Sequence, residues 1–387
     1  MDSFTEDIWV MILARLPQKS IITSKLVCKQ WKSIAESPYL RKLFLSHHQN
    51  SHPSWSLMCK DDSTEALAYY GCVITGPSRP LGCYINSFVK EKFNFRQARV
   101  VAYTDVGLVL IRVLVSSDLG NILFYVANPV TRECVETDPP WFEPKKGFFI
   151  LGIATRTENG LVLGYKVVLH HDDPSPWGNG YDESLSLIIY SSETGSWRFE
   201  SVDSPYYRHE FGNSISVNGN LHWLAQSHDE EVVVSIDFYG SGRHQFRVTP
   251  FPDLETSPRY KRSCTTSQGY LMYMNVGKDD GRLRVWRLKS AGWQLASEIA
   301  LKKYVFPIAI NPFDAETVYF WKHSSPRLLS LNLRTGKKIV LHGNFERCSD
   351  GRIIKCQSDK KYTARSNFSS FVLPKWLHPI PRGEQGV

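Results

Sequence analysis

Seven apolar residues follow one another from Ile8 to Ala14, and Leu16-Pro17 comes one residue later. The run predicts a helix over 8–16, ended by Pro17, which disfavours the α conformation at the residue before it. Ser3 with Glu6 has capping-box spacing, and Thr5 is an equally good N-cap. At about 100° per residue, such a run circles the helix axis almost twice, whereas a surface helix needs one apolar stripe. This helix therefore wants cover on several sides. "QKSIITSKLVC" reads as a short helix with Ile21, Ile22, Leu26 and Val27 on one side. "KQWKSIAES" adds Trp31 and Ile34 before Pro38, and "PYLRKLFL" adds a last turn with Leu40, Leu43 and Phe44. A unit this small cannot bury all that surface by itself. With Lys19, Lys25, Lys29 and Lys32 around it, the surplus points to docking on an acidic partner with an apolar groove. Two alternatives remain: a cap packed on the rest of its own chain, and a lysine-lined DNA-binding helix pair.

After residue 47 the periodicity changes. His47, His48, Asn50, Ser51, His52 and Pro53 make a polar hinge, and short β-rich runs then recur to the end, among them "LVLIRVLV" (108–115), "LVLGYKVVLH" (161–170), "EVVVSIDFY" (231–239) and "TVYFW" (317–321). Gly, Pro, Asn and Asp punctuate them, and no amphipathic helix of ten residues is evident between them. About two dozen candidate strands, spaced by roughly 13 residues, predict four-stranded units repeated six times, a β-propeller. Weak internal repeats agree: "ANPVTRE" (127–133), "YSSETGSW" (190–197), "VWRLKSAGW" (285–293) and "SLNLRTGKK" (330–338) each end a strand in a polar turn. A Gly in such a turn supplies positive φ, and a Trp after it can pack between blades. The fold class is thus α+β multidomain: helices over 1–46, a hinge at 47–55, a mainly-β propeller over 56–380 and a tail at 381–387.

Composition narrows the class. The chain has 387 residues, 42% of them hydrophobic and 13% aromatic, which suits a globular protein rather than a disordered one. Its net charge of +8 is spread out, without a block of like charges, so no nucleic-acid partner is expected. Asp2, Glu6 and Asp7 have the wrong sign for a secretory n-region, and no apolar run nears the roughly 20 residues needed to span a bilayer. No membrane association is expected. Eight cysteines without a CxxC pair read as reduced, mostly buried thiols, Cys28 as a packing residue, and the chain as intracellular, in nucleus or cytoplasm.

Candidate chemistry is sparse. The doublets Asp61-Asp62, Asp172-Asp173 and Asp279-Asp280 lie in turn-like stretches, where Asp bonds its own backbone. Ser191-x-Glu193-x-Gly195-x-Trp197 has a faint sialidase Asp-box character, with Glu for Asp and one residue too few. His170 and His171 are adjacent at a strand end and point apart, a poor chelate. No P-loop, G-x-S-x-G, H-E-x-x-H or G-x-G-x-x-G is present. No catalytic residue, metal or cofactor is expected. For binding a protein, Trp177 and Tyr181 in 170–184, and Tyr206, Tyr207 and Arg208 in 203–211, are aromatic and arginine residues in loops of the kind that dominate interfaces.

Asp7-x4-Ile12-Leu13-x-Arg15-Leu16-Pro17-x-Lys19-Ser20-Ile21, then Val27-Cys28-Lys29-x-Trp31 and Ser37-Pro38, resembles an F-box; where that family opens with Leu-Pro, this chain reads Phe4-Thr5. Later phrases resemble, in order, the kelch-like F-box-associated domain of plant F-box proteins. They include Asp105-x-Gly107-Leu108, Asn128-Pro129-x-Thr131, Gly164-Tyr165-Lys166-Val167-Val168, Asn218-Gly219-x-Leu221-His222-Trp223 and Asn311-Pro312-Phe313. The resemblance implies binding to a Skp-family adaptor and, through it, a cullin-RING ubiquitin ligase. Ile8, Ile12, Leu13, Leu16, Pro17, Ser20, Val27, Cys28 and Trp31 would form or support that surface, and the β domain would recruit a protein substrate. The alternative is a propeller hydrolase or carbohydrate-binding module with a helical cap.

Overall fold

The computed structural model describes residues 5–48, 55–59, 64–69, 81–93, 98–114, 122–137, 148–158, 161–171, 184–203, 214–226, 231–242, 244, 246–253, 260–277, 279–301, 305–322, 327–341, 368–373, 376 and 379–382. The first unit is helical: α1 (Glu6–Leu13), α2 (Gln18–Ser24), α3 (Lys29–Glu36) and α4 (Pro38–His47). Two strands and a helix follow, β1 (Trp55–Cys59), β2 (Thr64–Tyr69) and α5 (Leu81–Lys92).

Five four-stranded antiparallel sheets come next, each formed by consecutive strands. They are β3 (Ala98–Tyr103), β4 (Val109–Leu114), β5 (Ile122–Asn128) and β6 (Glu133–Thr137); β7 (Phe148–Glu158), β8 (Leu161–His171), β9 (Ser184–Ser191) and β10 (Ser196–Asp203); β11 (Ile215–Val217), β12 (Asn220–Gln226), β13 (Glu231–Asp237) and β14 (Arg247–Pro250); β15 (Tyr260–Ser267), β16 (Tyr270–Gly277), β17 (Arg282–Lys289) and β18 (Gly292–Ala300); and β19 (Val305–Ile310), β20 (Thr317–Lys322), β21 (Arg327–Asn332) and β22 (Lys338–Leu341). The last strand, β23 (Phe368–Val372), returns to pair with β1, giving a three-stranded sheet in the order β2-β1-β23.

The first strands of successive sheets are neighbours, β3 beside β7, then β11, β15, β19 and β23, and β23 lies beside β3 again. That closed ring of inner strands makes the six sheets the blades of a propeller, as the strand count predicts. Where the other blades have a fourth strand, the sixth has α5 against β2. Sequence reasoning missed α5. Its buried Ile85, Phe88 and Val89 have i, i+3, i+4 spacing and fill the core between the sixth and first blades with Met58, Val113 and Phe371.

The internal repeats have one structural meaning: they sit where the third strand of a blade turns into the fourth. The Asn128 side chain accepts the Val130 N–H at 3.0 Å, that of Asp237 the Gly240 N–H at 2.8 Å, and that of Asn332 the Thr335 N–H at 2.8 Å. Short side-chain acceptors replace the ladder bonds lost at the turn. Gly195 and Gly336 take φ of 66° and 67° in two of these turns. Trp197, after one of them, packs toward Phe124 of the preceding blade with ring centroids 6.3 Å apart. Trp223 Nε1–H crosses from the third blade to the Leu151 carbonyl of the second, at 2.9 Å.

The turns between first and second strands and between third and fourth strands all lie at one end of the propeller, here the turn face. The connections from second to third strand and from blade to blade lie at the other, the connector face. At the turn face, Asp105 receives hydrogen bonds from the Asn218 backbone and the Thr155 side chain, linking three blades. The residue is half-buried, yet its Oδ1 is fully enclosed and accepts nothing. Burial raises its carboxyl pKa to about 6, against those hydrogen bonds. Folding then favours the protonated acid, so this group's share of stability is whole below pH 3.8 and is lost as pH rises to about 6. Asp105→Asn keeps an acceptor and removes the charge. In urea denaturation it is expected to be more stable than the parent by roughly 2–3 kcal/mol at pH 8, with the difference gone near pH 4.

Candidate interaction surfaces

The helical unit divides its apolar residues between core and solvent. Val10, Leu13, Ala14, Ile21, Ile34, Ala35, Leu40 and Phe44 are buried together, with Trp9, Leu16 and Trp31 packed at their margin. Trp9 and Trp31 pack with their rings tilted, 4.8 Å between centroids. Helix α1 stops at Leu13, three residues short of the expected 16; Arg15 and Leu16 are held in a turn by N–H bonds to the Ile12 and Leu13 carbonyls. Pro17 is the extended N-cap of α2, with ψ 146°, so its restraint on the preceding residue serves a helix start.

Leu26 and Val27 are not on a helix face with Ile21 and Ile22, as the apolar spacing suggested. Helix α2 ends at Ser24, and the next residues form a turn that carries both side chains into solvent, 86% and 64% exposed. Cys28 is exposed as well, so it is not a packing residue. Its Sγ caps α3 by accepting the Trp31 N–H at 3.5 Å. Of the three cysteines whose burial is described, one, Cys264, is buried. On α1, Ile8, Met11 and Ile12 form an exposed i, i+3, i+4 stripe opposite buried Val10 and Leu13. Lys29 and Lys32 are exposed nearby in sequence, and Lys25 meets Glu36 at 3.3 Å.

Among the nine residues expected to form or support the docking surface, Ile8, Ile12, Val27 and Cys28 are thus exposed, while Leu16, Pro17, Ser20 and Trp31 are half-buried. Leu13 is enclosed, so it is a core residue and not part of the surface. Met11, Leu26 and Tyr39 are large exposed apolar residues that sequence reasoning left out of that group. Only the helix boundaries distinguish them from core positions. Six of the eleven large apolar residues exposed among the described residues fall between positions 8 and 39. Such concentration makes this part of the helical unit the candidate interaction surface.

The helical unit also receives a residue from the far end of the chain. Trp376 is buried in its core, 5.0 Å from Phe44 between ring centroids. On either side of it, Leu373 is buried with the sixth and first blades, and Ile380 with the first and second. The contact with the rest of the chain that the alternative cap reading required therefore exists, but it leaves the stripe on α1 and the α2–α3 turn in solvent.

Trp177, Tyr181, Tyr206, Tyr207 and Arg208 lie outside the described residues, as do Asp61-Asp62 and Asp172-Asp173. The residues flanking their segments, His171 and Ser184, Asp203 and Ser214, stand at the connector face. Other candidate chemistry resolves into local structure. Glu193 of the Asp-box-like stretch meets Arg156 at 2.7 Å, and Asp280 accepts the Arg282 N–H at 2.9 Å in a strand turn. His222 and Ser235 are paired across two strands, Nδ1 to Oγ 2.6 Å, and burial lowers the histidine pKa to about 4. Among the described residues, no three His, Cys, Asp or Glu are grouped to hold a metal ion, and no helix is long and apolar enough to cross a membrane.

Two family models account for most of the sequence. One described as an F-box domain matches residues 1–43, and one described as F-box protein At3g26010-like, beta-propeller matches residues 53–382. The chain belongs to the F-box proteins with a C-terminal β-propeller. Its relatives include F-box protein At3g28330 of Arabidopsis thaliana, 49% identical over all of this chain and 98% of its own length. F-box protein At3g26010, from the same plant, is 32% identical over 97% of this chain and 90% of its own.

Trp376→Ala empties part of the F-box core from outside the F-box sequence. The helical transition in urea, followed by circular dichroism at the helix band, is expected to lose about 3–5 kcal/mol while the propeller transition keeps its midpoint.

Proposed function

We propose that this F-box protein is a substrate-recruiting subunit of an SCF-type cullin-RING ubiquitin ligase, in nucleus or cytoplasm. Its F-box binds a Skp-family adaptor, and its propeller binds a protein to be ubiquitinated. The family supports this role in general. The observation that carries it here is the apolar surface left on α1 and the α2–α3 turn by a domain whose core is already filled. Each such side chain contributes about 1.5–3 kcal/mol when a partner takes it fully from water. Exposed Lys29 and Lys32 add an electrostatic preference for an acidic groove.

The chain itself then acts without catalysis. Holding a target on the propeller raises its effective concentration near the charged ubiquitin-conjugating enzyme. Chemistry belongs to other subunits, and specificity belongs to the propeller.

Leu26 and Val27 make the decisive test because they are exposed, and their substitution leaves the core intact. On co-expression with a Skp-family adaptor, the intact protein is expected to co-purify with it. Leu26→Asp with Val27→Asp is expected to reduce recovery at least about tenfold, the effect of losing a central apolar anchor, with an unchanged melting temperature. Equal recovery from both proteins refutes docking through this surface.

A further inference from the structure

We propose that Arg99 and Arg112 form a binding site at the connector face for an anionic side chain, carboxylate or phosphate, of a captured protein. The functional setting rests on the substrate-recruiting role above; the site itself rests on the following geometry. Arg99 is on the innermost strand β3 and Arg112 on β4, and they are direct cross-strand partners. Such partners project from the same face of a sheet. The row continues through Phe124 to Thr137 across the blade, so it contains two guanidinium groups and no carboxylate. Thr137 already donates to the Phe124 carbonyl at 3.1 Å. The neighbouring Glu136 belongs to the opposite face, where it accepts from Tyr125 at 2.8 Å.

Like charges set opposite each other destabilise a sheet, and here nothing among the described residues offsets them. Arg132, Arg156, Arg198, Arg262, Arg282 and Arg284 each meet a carboxylate. No ion pair among the described residues includes Arg99 or Arg112. Arg112 Nε is enclosed and has no acceptor, a costly condition for a charged donor. Burial, and Arg99 after it, lower the proton affinity of Arg112. An incoming oxyanion relieves the repulsion: it neutralises the two guanidinium groups and accepts their accessible N–H groups in the paired geometry that guanidinium favours.

Position selects a protein ligand over a free ion. Chain direction puts the start of β3 and the end of β4 at the connector face. The F-box is joined to the opposite face, where β1 begins beside the end of β23. Exposed Arg99 is thus presented by the inner ring on the side that the F-box leaves open.

The test compares full-length wild type with Arg99→Gln and Arg112→Gln. With inorganic phosphate as probe at constant ionic strength, phosphate is expected to raise the wild-type melting temperature and to leave both variants unmoved. In chloride alone, neither variant is expected to melt below wild type, because each substitution removes repulsion. Degenerate fluorescent peptides with phosphothreonine, with acidic residues or with neutral residues then separate the anion sources by fluorescence anisotropy. One anionic set is expected to bind about tenfold tighter than the neutral set, and either substitution to abolish that preference. Variants that melt lower in chloride reveal a structural ion pair and overturn the site. Equal binding of charged and neutral peptides overturns it too, as does a preference for an RNA oligonucleotide over every peptide. Adaptor co-purification is expected to be the same for all three proteins, so its failure bears on the ligase role and not on this site.

Discussion

The pairing of β1 with β23 is the constraint on which the rest depends. It matches Trp55 with Val372 and Cys59 with Phe368, and so closes the ring by joining the two ends of the β domain. An open ring leaves two sheet edges and two exposed inter-blade cores. Closure removes both, and it also sets the direction of both chain ends. Because β23 is an inner strand, its carboxyl end and the amino end of β1 lie at the turn face. The F-box must enter there and the tail must leave there. Trp376 can therefore reach Phe44, and the F-box is held by its covalent connection on one side and by the tail on the other.

This arrangement separates the two tasks of the F-box residues. Its core is completed within the chain, with Trp376 as a late contribution, so the stripe of Ile8, Met11 and Ile12 has no folding role to fulfil. The same holds for Leu26 and Val27. A surface kept apolar without a structural need is the feature that composition and burial together bring out. In the proposed docking, a fixed pose leaves so short a segment little conformational freedom to lose on association.

Much of this was legible in the sequence, for reasons tied to particular residues. The run from Ile8 to Ala14 exceeded what one buried face needs, and the structure divides it into a buried and an exposed side. The polar turns at Asn128, Ser191 and Asn332 were visible as repeats because each solves the same hydrogen-bonding problem between third and fourth strands. What escaped notice was decided at longer range. Helix α5 has a weak apolar stripe, and it is stable because two blades enclose it. Leu26 and Val27 have core-like spacing with Ile21 and Ile22, and the helix end at Ser24 reverses their environment. The contribution of Trp376 to a domain more than 300 residues away leaves no local trace. The pairing of Arg99 with Arg112 follows from strand register, which no local pattern shows.

Ring closure also decides which end of the propeller carries the chain ends. With the F-box and both chain ends at the turn face, short turns there are fixed by closure and by bonds such as those of Asp105 across three blades. The connector face carries such bonds too: Asp253, just past the third blade, meets Arg262 of the fourth at 3.1 Å and accepts from Asn275 at 3.1 Å. A pair of arginines at its edge is tolerable because the ring supplies stability elsewhere: a local electrostatic cost of about 1 kcal/mol is small against the blades' buried apolar area.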